Sequence, residues 1–122
     1  MYNDIIIDNF SHPKFVGDLV SADHQFELGN AVCGDRIQVQ IELDGDNICD
    51  AKFRAWGCAT SVATANIFCS SIMSKSIVEI SRRKPAEIAE MLGELEPSQQ
   101  HCLDILKQLH QELALVVSLE EG

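Results

Sequence analysis

The clearest pattern in the chain is a strict alternation over 36–43, Arg-Ile-Gln-Val-Gln-Ile-Glu-Leu. Ile37, Val39, Ile41 and Leu43 share one face, and Arg36, Gln38, Gln40 and Glu42 share the other. That period predicts a half-buried strand. Residues 48–56 alternate again, with Cys49, Ala51, Phe53 and Ala55 on the apolar side. Asp44-Gly45-Asp46-Asn47 between them has turn chemistry, so the pair predicts a hairpin. The two apolar faces must coincide, which fixes the parity of the register. Pairing Ile41 with Ala51, Val39 with Phe53 and Ile37 with Ala55 meets this condition around a Gly45-Asp46-Asn47 loop. With regular strands the ladder continues outward to set position 33 opposite position 59. Cys33 and Cys58 then become near neighbours at the open end, and Asp35 points to the same side as Cys33.

The remaining pattern is mostly helical. Ile5, Ile6, Asn9 and Phe10 recur at near-helical spacing over 1–12, and His12-Pro13 ends that run. Residues 14–24 read as a loop, and 25–32 as a first strand interrupted at Gly29-Asn30. From Ala59 to Ser74 small residues mix with Ile67, Phe68, Ile72 and Met73, which predicts a closely packed helix beginning just after Cys58. Ser76 and Glu79 form a capping box for a short helix to about Arg82. Pro85 opens another, ending near Gly93. After Leu95-Glu96-Pro97, a last helix carries Leu103, Leu106, His110, Leu113 and Val117 along one stripe, flanked by Ile105, Leu109 and Val116. His101-Cys102 falls in its first turn, and 120–122 is expected to fray. There is no internal repeat or linker, so residues 1–122 are expected to form a single domain.

Charge narrows the function. The formal net charge is −10 over 122 residues. Nucleic-acid binding leaves a basic footprint, so no nucleic-acid partner is expected. An acidic surface is also repelled by anionic membranes, and would favour a partner with a basic face. No apolar run approaches the ~20 residues of a membrane span, and the start lacks the basic residues of a signal or transit peptide. A cytoplasmic location is expected. There the five cysteines would be thiols rather than a disulfide framework.

Cys49, on the apolar strand face, and Cys69, inside the packed helix, read as core filling. Cys33, Cys58 and Cys102 stand at element ends beside a Gly or a His. With Asp35 and His101 they make three thiols, a carboxylate and an imidazole. These are ligand types for Zn²⁺ or an iron–sulfur centre. Cys58 at a helix N-terminus would favour thiolate. Three other readings of these residues remain open: a zinc-bound sulfurtransferase, a structural zinc domain, and a cysteine hydrolase using Cys102 and His101. The last is disfavoured because adjacent helical residues point apart.

Ala-Val-Cys33-Gly-Asp35, Trp-Gly57-Cys58-Ala-Thr-Ser and His101-Cys102 resemble the IscU / NifU N-terminal family of iron–sulfur cluster assembly scaffolds. Asn9-Phe10-Ser-His-Pro13-Lys-Phe-Val-Gly17 is similar to that family's Asn-Pro-Arg-Asn-Val-Gly segment. The His before the last Cys looks like the IscU branch. The resemblance implies an α+β fold, a small, mostly antiparallel three-stranded sheet packed against helices. It implies a scaffold rather than an enzyme, with a transient [2Fe–2S] cluster held by Cys33, Cys58 and Cys102, and Asp35 and His101 at the same site. Cys102 would accept persulfide from a cysteine desulfurase. An iron donor would supply iron, apo-proteins or carriers would receive the cluster, and Zn²⁺ could occupy the pocket of isolated protein. Family members carry Leu-Pro-Pro-Val-Lys before His-Cys, where a specialised chaperone binds. Here the stretch is Leu95-Glu96-Pro97-Ser98-Gln99, which counts against that chaperone as a partner.

Overall fold

The computed structural model describes residues 3–30, 35–57 and 59–121. Helix α1 (Asp4–Ser11) is followed by strands β1 (His24–Asn30), β2 (Asp35–Asp44) and β3 (Asn47–Trp56). Four helices complete the chain, α2 (Ala59–Ile72), α3 (Ile77–Ser81), α4 (Pro85–Glu90) and α5 (Gln100–Glu121), the last entered through a 3-10 turn at Pro97–Gln99. The strands form one antiparallel sheet in the order β1-β2-β3.

The hairpin has the register that its alternation predicts, with Ile37 opposite Ala55, Val39 opposite Phe53 and Ile41 opposite Ala51. Its tip differs. Asp44 pairs with Asn47, so the loop is Gly45-Asp46, and the register shifts between Glu42 and Leu43. One extra residue on β3 is thereby left out of the ladder. The alternation inverts there. Ile48 is buried in the core and Cys49 is exposed, its Sγ donating to the Glu42 carbonyl at 3.3 Å. Core filling by Cys49 is therefore incorrect, because the bulge turns its side chain outward. Cys69 is fully buried as expected.

Phe26, Ile37, Val39, Ile41, Ala51 and Phe53 turn inward from the sheet to meet α2 and α5. Helix α2 is buried nearly all round, from Thr60 to Ile72. It packs against α1, β2, β3 and α5, which explains why its residues show no polar face. Phe68 at its centre meets Phe26 edge-on with ring centroids 6.2 Å apart.

Two polar side chains hold α1 in place. Asn3 caps it by accepting from the Ile6 amide, and its own amide donates to the carbonyls of Leu92 and Glu94, each at 2.7 Å. Asn66 of α2 accepts from the Phe15 amide and donates to Asn9 Oδ1. The segment after α1 then runs along the sheet, with Phe53 donating to the Phe15 carbonyl and Gly17 donating back to Phe53. Ser76 caps α3 as its capping box predicts, and Pro85 opens α4.

Candidate functional site

Three chain segments meet at one end of the sheet. Strand β2 begins at Asp35, opposite Asn30 of β1, and the next residue, Arg36, pairs with Trp56 at the end of β3. Gly57 follows with φ +138°, a conformation that side-chain-bearing residues rarely adopt. The chain turns there from the sheet into α2, which begins at Ala59. The Arg36 guanidinium lies 4.8 Å from the centroid of the Trp56 ring and forms an ion pair with Glu27, tying the three strands together on their outer face.

The first turn of α5 comes to the same place. His101 Nε2 lies 3.1 Å from Oγ1 of Thr60 in the first turn of α2, and 4.0 Å from its neighbour's thiol, Cys102 Sγ. Cys102 is fully buried within the core cluster, whereas His101 is exposed. An imidazole at the surface thus sits over a buried sulfur. Thr60, 1% exposed, is the residue that sequence reading missed. The available signal was its place two positions after Cys58, in a helical first turn that already held a candidate ligand.

The structure brings together His101, Cys102, the start of α2 and the backbone ends of β2 and β3. Cys33 and Cys58 lie outside the described residues, as does the side chain of Asp35. So does the expectation that position 33 sits opposite 59. Among the described residues no group of three or more His, Cys, Asp or Glu side chains is placed to hold a metal ion. The thiols away from this end have different chemistry. Burial pushes the Cys69 thiol well above the usual range, and desolvation with the charges of Glu42, Asp44 and Asp50 raises that of Cys49. Both are thereby poor nucleophiles.

A model of the NifU-like N terminal domain matches residues 1–115. The chain belongs to this family. It is 34% identical over 105 residues to the iron–sulfur cluster assembly scaffold protein IscU 1 of Archaeoglobus fulgidus, covering 86% of this chain and 69% of that one. It is 35% identical over 105 residues to the IscU scaffold of Haemophilus influenzae, covering 83% and 82%. These relatives are scaffold proteins rather than enzymes. The crystal structure of the N-terminal part of a NifU-like protein from Brucella abortus superposes with a TM-score of 0.72 over 98% of this chain and 94% of that one, at 14% identity. At that identity the likeness establishes the fold, a three-stranded antiparallel sheet packed against helices. Among the described residues no helix is long and apolar enough to cross a membrane.

Proposed function

We propose that this member of the iron–sulfur scaffold family builds a [2Fe–2S] cluster as transient cargo and passes it to acceptor proteins. Membership of the family makes scaffolding its function, with a transient cluster, a sulfur-supplying desulfurase and cluster acceptors as the general requirements. The specific reading gives Cys33, Cys58 and Cys102 to the iron atoms, with Asp35 and His101 completing the site. Three thiolates and one harder ligand leave a weaker corner, where an acceptor thiol can enter. Cys102 takes the sulfur. Its thiolate attacks the outer sulfur of the desulfurase persulfide, the S–S bond of that persulfide breaks, and the desulfurase thiolate leaves. Two electrons from an external dithiol or one-electron donor then cleave the S–S bond of the Cys102 persulfide, releasing sulfide and restoring the Cys102 thiolate as iron arrives.

The observation that supports this most directly is the seating of Cys102. Its Sγ lies 4.0 Å from Nε2 of His101, and Thr60 holds that imidazole between the two helix starts.

Anaerobic reconstitution with ferrous iron, cysteine and a cysteine desulfurase tests the proposal, read by visible absorption and circular dichroism. A coloured species holding two irons and two sulfides per chain is expected. A colourless protein that carries persulfide and Zn²⁺ would replace it with a zinc-bound sulfur acceptor using the same thiols.

A further inference from the structure

A pocket of about 270 Å³ opens between α3, α4 and α5, away from the site described above. His110 on its wall lies nine residues along α5 from His101, about 13 Å at helical rise. Ile80, Pro85 and Ile88 are among its apolar lining residues, and Arg83, Lys107 and His110 among its polar ones.

Arg83 is held rigidly and incompletely. Its Nη1 donates to Ser71 Oγ at 3.0 Å and its Nη2 to the Ser71 carbonyl at 2.5 Å, so the terminal fork of the guanidinium is spent on one residue. The other Nη1 hydrogen goes to His110 Nε2 at 3.1 Å. His110 can only accept there, because its Nδ1 faces the Leu106 carbonyl at 2.7 Å and must carry the proton. What remains is Nε–H and the outer Nη2–H. These two donors run parallel along one edge of the plane, the geometry that takes a carboxylate two-pronged.

No carboxylate among the described residues takes that edge. Arg36 and Arg54 are ion-paired, with Glu27 and Asp18, whereas among the described residues half-buried Arg83 and half-buried Lys107 have no acidic partner within salt-bridge distance. Glu87 and Glu79 act on Arg83 only from further off, and burial outweighs them in lowering its pKa. A partly desolvated guanidinium with no carboxylate on that edge among the described residues is costly, the more unexpected in a chain with 19 acidic and nine basic residues.

We infer that this pocket binds a small carboxylate with a short hydrocarbon portion, its carboxyl on the open edge of Arg83 and near Lys107, its chain against Ile80, Pro85 and Ile88. The volume falls just below the ~300 Å³ at which drug-sized sites begin, which suits a ligand of a few carbons.

Titration of the metal-free, ¹⁵N-labelled protein with hexanoate, hexanamide and inorganic phosphate tests this by amide chemical shifts. Hexanoate should give saturable shifts confined to residues 80–88 and 107–114, and the uncharged amide of the same shape should bind at least about tenfold more weakly. Lys107→Gln should weaken hexanoate several-fold and leave hexanamide unchanged. Arg83→Lys keeps the charge but removes the edge, and should weaken hexanoate too. If Arg83→Lys fails to fold, the Lys107 variant and the hexanamide comparison still decide. Equal binding of hexanoate and hexanamide, shifts elsewhere, or no saturation by about 50 mM hexanoate, far weaker than the ~1 mM that corresponds to 4 kcal/mol, would overturn it. Phosphate binding as tightly as hexanoate would overturn the apolar half of the assignment. The titration needs no cluster, so this inference and the scaffold reading can fail separately.

Discussion

Thr60 Oγ1 stands 3.1 Å from Nε2 of His101, joining the first turn of α2 to the first turn of α5. The bond engages the ring nitrogen that lies 4.0 Å from the Cys102 sulfur. A metal or cluster drawing on that nitrogen must first break the bond with Thr60, so the hydroxyl orients the imidazole and competes for it.

Thr60→Val removes the hydroxyl and keeps the shape. It should cost about 1 kcal/mol in urea unfolding, the net worth of one hydrogen bond. It should also change the ¹⁵N signature of the His101 ring in metal-free protein, and Thr60→Ser should restore both. An unchanged ring signature in the valine variant would show that the contact does not position the imidazole.

Cysteine reactivity should follow burial and charge. Among Cys49, Cys69 and Cys102 of the metal-free protein, iodoacetamide should reach exposed Cys49 first, but more slowly than it reaches a free thiol, because desolvation and the surrounding carboxylates hold that sulfur protonated. Cys69 should stay unmodified until the protein unfolds. After incubation with desulfurase and cysteine, Cys102→Ser should abolish most of the persulfide seen by mass spectrometry, and Cys49→Ser should not. Equal adducts in the two variants would remove Cys102 from the acceptor role.

Burial holds the His110 imidazole below its ordinary value of 6.5, with the Leu106 carbonyl opposing the shift and the Arg83 guanidinium adding to it. The unfolded chain therefore binds this proton more readily than the folded one. The stability His110 contributes is complete above about pH 6.5, and is lost as the pH falls from there through the lower folded value. Urea midpoints should drop between pH 8 and pH 5.5, and His110→Gln should flatten that part of the curve. A slope unchanged in the variant would assign it to other groups.

Asp35→Ala should leave cluster assembly possible and slow cluster release, because it removes the proposed hard ligand at the weak corner. A timed transfer assay to an apo-acceptor measures this. Equal or faster transfer would place the exchangeable ligand elsewhere.

Much of the fold was legible because burial wrote it into the pattern. The alternation of Ile37, Val39 and Ile41 against Ala51, Phe53 and Ala55 admits one parity of register, and the structure has it. Ser76 and Pro85 mark their helix starts by local hydrogen-bond and φ requirements that need no tertiary context. The bulge that exposes Cys49 was not legible, since a two-residue and a three-residue loop both fit the Asp-Gly-Asp-Asn stretch. At the candidate site His101 and Cys102 could be picked by residue type. Thr60 could not, because its role depends on which helix start it meets. His110 was hidden in the same way. Its spacing put it on the apolar stripe of α5, and nothing local linked it to Arg83, 27 positions earlier.

The backbone exchange of Phe53 with Phe15 and Gly17 bears on how this protein meets its partners. An open outer margin of β3 would let any extended foreign peptide add itself as a fourth strand, beside the segment that leads through Trp56 and Gly57 to the thiols. With that margin occupied from within the chain, visitors are steered toward side-chain contacts at the end of the sheet. An extended peptide that meets this margin finds the backbone of Phe53 already engaged and cannot pair with it there.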